Sequence, residues 1–208
     1  MKITNPMSAY IIIAALSYLL GSIPFGYLLV RAFCGEDVRS TGSGNIGATN
    51  VARRSPALGV ATLLLDAGKG CAAVALAKLL FPGQHQTLLL TTAAFFAIAG
   101  HMLPVWLKFR GGKGVATGLG SFALVVPKSV LCMVGIFIVV VAVFRYVSLG
   151  SVVSAALLPI LAWGLHESVE PQPLLLMAAA AMLIVWKHRE NLRRIAAGAE
   201  PKLGGRAR

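Results

Sequence analysis

Three polar islands interrupt an otherwise apolar sequence, and each is rich in groups that hold anions. The first is Ser40-Thr41-Gly42-Ser43-Gly44-Asn45-Ile46-Gly47-Ala48-Thr49-Asn50-Val51-Ala52-Arg53-Arg54. Its glycines let backbone N–H groups come close to a negatively charged oxygen. Ser43, Asn45, Thr49 and Asn50 add neutral donors, and Arg53 adds a planar charge that can grip two oxygens at once. A helix starting near Asn45 or Thr49 would favour an anion at its N-terminus as well. The second island is Lys108-Phe109-Arg110-Gly111-Gly112-Lys113-Gly114-Val115-Ala116-Thr117, preceded by Gly100-His101-Met102-Leu103-Pro104. Its Gly-Gly-Lys-Gly run places backbone donors and a point charge at an expected helix start. The third begins Trp186-Lys187-His188-Arg189-Glu190-Asn191-Leu192-Arg193-Arg194. Lys187, Asn191 and Arg194 are spaced for one helical face, with His188 three residues before Asn191. None of the three is a Walker A loop or a G-x-G-x-x-G turn, so no nucleotide follows from them.

The chemistry open to such groups is electrostatic. Carboxylates are few and scattered, the four histidines lack H-x-x-x-H spacing, and no metal site or cofactor is implied. No Ser-His-Asp arrangement can be assigned. Strong anion donors with a weak base suit acyl or phosphoryl transfer from a donor whose leaving group is already good, as phosphate is. Donors aimed at a developing oxyanion do most of that work, and losing one typically costs about 2.7–4 kcal/mol. Holding two anionic reactants together supplies the other large contribution. Each island also has a plainer reading: a flexible loop, a glycine hinge with a stop signal, and a basic tail on anionic lipid. Three such islands on one side of a membrane favour a single phosphate-binding constellation.

The elements that must position these groups are membrane spans. Of 208 residues, 57% are hydrophobic and 12% charged, with a net charge of +12. A soluble domain carries about 25% charged residues. The apolar mass excludes disorder and a plain nucleic-acid binder. Charge-poor stretches predict an all-α bundle of seven spans at 8–30, 57–81, 87–107, 115–127, 129–144, 146–165 and 173–187, forming a single domain. The fourth and last are short for about 30 Å of hydrocarbon, and five spans is the other count. The first stretch is too long for a cleavable signal and reads as a retained anchor. In the seven-span arrangement, 15 of the 19 Lys and Arg residues fall in the first, third and fifth connections and the tail. The positive-inside rule makes that side cytoplasmic, with the N-terminus outside. Gln84 and His85 belong to the second connection, which has no Lys or Arg, and the sixth, from His166 to Gln172, is acidic. Asp66 and Lys69 share a face inside span two and read as an ion pair or a functional pair. Lys78 snorkels. His101 reads as a hydrogen-bonded structural group. Cys34, Cys71 and Cys132 form no disulfide or metal pattern. The rival class is a transporter for a phosphate-bearing solute, against which stand the lack of an internal repeat and polar groups gathered at one interface.

Ser43-Gly44-Asn45-Ile46-Gly47-Ala48-Thr49-Asn50-Val51-Ala52-Arg53, then Gly111-Gly112-Lys113-Gly114-Val115-Ala116-Thr117, then Lys187-His188-Arg189-Glu190-Asn191 with Gly198, Glu200 and Lys202, resemble the three cytoplasmic motifs of the bacterial acyl-phosphate:glycerol-3-phosphate acyltransferases, the PlsY family. The resemblance covers the chain in order and spacing, including Leu65-Asp66 and Lys69-Gly70. Leu103 and Arg110 stand where Phe and Lys are familiar. It implies a seven-helix protein of the bacterial inner membrane with its site on the cytoplasmic face. The implied reaction moves a fatty acyl group from acyl phosphate to the 1-hydroxyl of glycerol 3-phosphate, giving lysophosphatidic acid and phosphate. Carried over by motif position, Ser43, Lys113, His188 and Asn191 would be catalytic. Asn45, Gly47, Thr49, Asn50, Arg53, Gly111, Gly112 and Gly114 would contact substrate. Arg53 and Lys113 would hold phosphate charge, Ser43 and Asn45 would serve the acyl phosphate and oxyanion, and His188 and Asn191 would orient glycerol 3-phosphate. The attacking hydroxyl would lose its proton to His188 or to a substrate phosphate. The acyl chain would lie among the spans. Oligomeric state and acyl-chain preference stay open.

Overall fold

Pro24 divides the first apolar stretch. It has no N–H to give, and its ring pushes Ile23 out of the helical region. The chain therefore forms α1 (Pro6–Gly21) and, after a break, α2 (Phe25–Cys34), where a single span is expected. The computed structural model describes residues 6–83 and 86–204. Gln84 and His85 of the second connection and Arg206 and Arg208 of the tail lie outside the described residues. The remaining helices are α3 (Ala48–Arg54), α4 (Pro56–Leu80), α5 (Gln86–Met102), α6 (Val115–Ala123), α7 (Pro127–Phe144), α8 (Val147–Gly164), α9 (Pro171–Lys187) and α10 (Arg189–Ala196). Short 3-10 turns lie at Val38–Ser40 and Val105–Leu107, and no strand occurs among the described residues.

Five helical stretches among the described residues are long and apolar enough to cross a bilayer: Met7–Cys34, Pro56–Leu80, Gln86–Leu107, Pro127–Phe144 and Val147–Gly164. The nine residues of α6 and seventeen of α9 rise only about 14 and 26 Å at 1.5 Å per residue, against about 30 Å of hydrocarbon. The third island is not one helix. α9 ends at Lys187 and α10 begins at Arg189, so Lys187 does not share a helical face with Asn191 as its spacing predicts.

The chain divides into two compact units, Met1–Val125 and Val126–Arg208. In the first, helices meet through small residues. A methyl at Gly21 would strike the backbone of Ala97, and one at Gly100 that of Tyr18, so α1 and α5 touch backbone to backbone. α4 and α6 meet the same way at Gly70 against Thr117 and Gly120 against Ala67. Close approach of this kind replaces the hydrophobic drive that lipid removes. The hydroxyls of Thr62, Thr91 and Thr92 donate to the carbonyl four residues back, which lets them be buried.

In the second unit, the acidic sixth connection has a structural task. Glu167 caps the start of α7, its Oε1 accepting from the Lys128 amide (2.9 Å) and its Oε2 from the amide and hydroxyl of Ser129 (2.7 Å each). A carboxylate there satisfies orphan amides and complements the helix dipole. Burial raises its pKa, but these donors outweigh that and hold the carboxyl below the usual carboxylate range.

Candidate active site

The loop of the first island is wound around one side chain. Asn50 is buried on α3, and its Nδ2 lies within hydrogen-bond distance of the carbonyls of Val38 (3.0 Å), Thr41 (3.1 Å) and Asn45 (2.9 Å). Its Oδ1 accepts from the Ser43 amide at 2.9 Å. Asn45 turns the chain locally by accepting from the Gly47 amide at 2.8 Å, a turn that asparagine makes readily. Gly47 then precedes the first residue of α3. Gly42 has φ +59°, and a methyl there would run into Asn50 Oδ1, with the Arg53 guanidinium close beyond. Ile46 and Val38 anchor the loop from below in a buried cluster with Val30, Val51 and Leu107. Ser43, Thr49 and Arg53 are left exposed above it. Beside the loop, Asp37 grips Arg39 through two oxygens (2.6–3.1 Å), and this pairing lowers the Asp37 pKa.

The second island folds back on the helix that precedes it. After α5, the amide of Gly111 donates to Met102 O (3.2 Å) and that of Gly112 to His101 O (3.0 Å). Glycine amides thereby cap the last carbonyls of α5, a task usually left to a terminal turn. Lys113 is half-buried on this loop, and Gly114, with φ +82°, leads into α6. Under the loop lies a buried polar group that joins three helices. Lys69 Nζ is 2.8 Å from Asp66 Oδ1, 3.0 Å from His101 Nδ1 and 2.7 Å from the Ile23 carbonyl at the break between α1 and α2. His101 Nδ1 is also 3.5 Å from Asp66 Oδ1.

In the second unit the third island is built around a carboxylate. Glu200 Oε1 accepts from Asn191 Nδ2 (2.6 Å) and Ser148 Oγ (2.7 Å), and its Oε2 accepts from Arg194 Nε (2.8 Å). Burial pushes this carboxyl up, but the three donors hold it below the usual carboxylate range. The tail continues to Leu203, whose carbonyl accepts from the Arg145 guanidinium. His188 sits between α9 and α10 and is buried. Its Nδ1 lies 2.8 Å from Ile184 O, an acceptor, so Nδ1 carries the hydrogen and the neutral ring has its lone pair on Nε2.

Ser43, Asn45, Gly47, Thr49, Asn50 and Arg53 thus lie on one loop and the short helix after it, and Gly111, Gly112, Lys113 and Gly114 on another of the same unit. His188 and Asn191 flank the start of α10 in the second unit. Asn50 differs from the others, because its amide is engaged with the loop itself. Two features carry more of the site than their sequence signal indicates. One is Glu200, one of two acids in a basic tail and the orienting partner of Asn191. The other is His101, which spacing alone cannot pair with Asp66 and Lys69 more than thirty positions away.

Residues 11–198 match the family model described as glycerol-3-phosphate acyltransferase. The chain is 43% identical over 197 residues to the glycerol-3-phosphate acyltransferase of Ehrlichia chaffeensis, covering 95% of this chain and 98% of that one. It is 46% identical over 194 residues to that of Nitrobacter winogradskyi, covering 93% and 95%. Its fold is similar to a crystal structure of PlsY (YgiH), an integral membrane glycerol 3-phosphate acyltransferase, in its glycerol 3-phosphate form. The TM-score is 0.86 at 34% identity, over 94% of this chain and 96% of that one. The lysophosphatidic acid form of PlsY matches with a TM-score of 0.82 at 32% identity, over 93% and 94%.

Proposed function

Because the chain belongs to the glycerol-3-phosphate acyltransferase family, we propose that it moves a fatty acyl group from acyl phosphate to the 1-hydroxyl of glycerol 3-phosphate. The observation that carries this reading is the whole-length match to an enzyme solved in both a glycerol 3-phosphate and a lysophosphatidic acid form. One form holds the acceptor and the other an acylated product. The exposed Ser43 and Arg53 and the half-buried Lys113 are the donor set such anions need.

The hydroxyl oxygen of glycerol 3-phosphate attacks the acyl carbonyl carbon. The bond from that carbon to the phosphate oxygen breaks, and phosphate leaves with the electron pair. Negative charge grows on the carbonyl oxygen and then on the departing phosphate, and fixed N–H and cationic groups stabilise both. Arg53 and Lys113 hold phosphate charge, Ser43 and Asn45 serve the acyl phosphate and oxyanion, and His188 and Asn191 orient the acceptor. The hydroxyl proton passes to a substrate phosphate oxygen or to His188 Nε2. Glu200 keeps Asn191 in one orientation. No cofactor takes part in these steps.

The protein is read as a single acyltransferase domain in the inner membrane, crossing seven times, with α6 and α9 completed by their flanks. The N-terminus is outside, and the C-terminus and the reacting groups are cytoplasmic. Charge supports this, since 15 of the 19 Lys and Arg residues fall on that side. The test is phosphate release by the purified protein in detergent, given acyl phosphate and glycerol 3-phosphate. Turnover without a sealed compartment excludes a pure transporter. Folded protein that releases no phosphate contradicts the assignment.

A further inference from the structure

Three buried groups meet beneath the Gly111–Gly114 loop, and none of them is part of the donor set assigned above. Asp66, Lys69 and His101 are each at most 4% exposed. An ammonium has three N–H donors and no lone pair. Lys69 is within 3.0 Å of three acceptors: Ile23 O, Asp66 Oδ1 and His101 Nδ1. His101 Nδ1 therefore accepts, and the imidazole proton sits on Nε2, at the opposite edge of the ring. That edge faces Gly112 so closely that a methyl added there would collide with Nε2. A methyl on Gly111 would collide with the His101 carbonyl and with Pro104. The His101 carbonyl itself accepts the Gly112 amide. One residue thus contacts the loop through its ring and its backbone together. The ring cannot easily swing away, because Lys69, itself held by Asp66, grips its far edge.

We infer that His101, pinned by Lys69, which Asp66 in turn holds, is a positioning residue: it is the template against which the Gly111–Gly112–Lys113–Gly114 backbone is set. It fixes where Lys113 stands without touching substrate itself. The Ile23 carbonyl ties the same ammonium to the break between α1 and α2, so the template is referenced to three helices. This inference rests on the acyl-transfer reading for its kinetic arm and on geometry alone for its exchange arm.

The test is a double-mutant cycle on the full-length protein in detergent, using Gly112→Ala, His101→Asn and both together. Asn keeps an oxygen for Lys69 but lacks the ring edge that meets Gly112. In the parent background, Gly112→Ala displaces the loop and lowers kcat/KM for glycerol 3-phosphate by about a hundredfold, the scale of a 1 Å misplacement, with little change in thermal unfolding. In the His101→Asn background the same methyl fits, and the further loss is about fivefold or less. Equal losses in both backgrounds overturn the inference, as does Gly112→Ala with parental kinetics. If His101→Asn does not fold, Asp66→Asn takes its place. It leaves the ring present but loosened, and the cost of Gly112→Ala must still fall at least fivefold. The second readout is hydrogen–deuterium exchange at the Gly111 and Gly112 amides without substrate. It should be slow in the parent and about tenfold faster in both single variants. Unchanged exchange overturns the template. Slow exchange in the parent that quickens in the variants, in a protein with no turnover, would instead defeat the reaction and leave the template standing.

Discussion

Replacing Asn50 by Leu keeps the size of the side chain and removes every polar atom that holds the first loop. Four groups lose a contact: the Ser43 amide and the carbonyls of Val38, Thr41 and Asn45. Ser43 and Thr41 are exposed, so their groups rehydrate at little cost. The Val38 carbonyl keeps the Thr41 hydroxyl (3.3 Å) and the Thr41 carbonyl keeps the Gly44 amide (3.0 Å), so the cost falls on the half-buried Asn45 carbonyl. An unpartnered buried group costs about 1–3 kcal/mol, so the closed loop loses about that much relative to open forms. At 1.4 kcal/mol per tenfold, that shifts the closed-to-open ratio by about 5- to 150-fold. The assay pairs kcat/KM with hydrogen–deuterium exchange over residues 38–47, measured without substrate. Both should change, with exchange faster and kcat/KM lower by up to that factor. Asn50→Asp should not rescue, because its second oxygen faces three carbonyl oxygens instead of donating to them. A residue that only touched substrate would leave exchange in the free enzyme unaltered. Parental exchange and parental kinetics in Asn50→Leu would refute the account of this loop.

Glu200→Gln keeps the bonds from Asn191 and Ser148 but sets an NH2 group against Arg194, and should lower the unfolding temperature by a few degrees, about 1–3 kcal/mol. The Glu200 pKa is lowered in the folded protein, so its contribution is complete above the unfolded carboxylate range and is lost as pH falls through the lower folded value. The difference between parent and Glu200→Gln melts should therefore stay constant from about pH 5 to 8 and shrink only under acid conditions. Lys113→Ala should lower kcat/KM by about a hundredfold or more if its charge serves the transition state, and near-normal kinetics would remove it from the site. In His188→Ala, survival of any pH–rate limb seen near neutrality assigns the proton transfer to a substrate phosphate, whereas loss of that limb assigns it to Nε2.

Much of the framework is legible because lipid imposes a simple rule on the sequence. A long charge-free run must satisfy its backbone internally, and so it is a helix. The stretch expected at 57–81 is found at Pro56–Leu80, and that expected at 129–144 at Pro127–Phe144. Breaks are harder to read. Pro24 lies inside one apolar run, and membrane helices tolerate proline, so its presence alone does not show that α1 and α2 separate. At His188 neither Gly nor Pro marks the end of α9, and the residues on both sides favour helix.

The three islands are legible as anion donors because glycine, hydroxyl, amide and cationic groups are unusual together beside apolar spans. The division of labour within them is not. Asn45 and Asn50 look alike in sequence. Only packing shows one turning the chain locally and the other buried as the loop's hub. Asp66 and Lys69 are visible as a pair by their spacing. Their link to His101 depends on how α4 and α5 pack, which no local pattern specifies.

The most direct measurement gives the purified protein glycerol 3-phosphate with one of three donors in turn: acyl phosphate, acyl-CoA or acylated carrier protein. We expect lysophosphatidic acid only with acyl phosphate, with one phosphate released for each molecule formed. Product from either thioester, or phosphate release without lysophosphatidic acid, would contradict it.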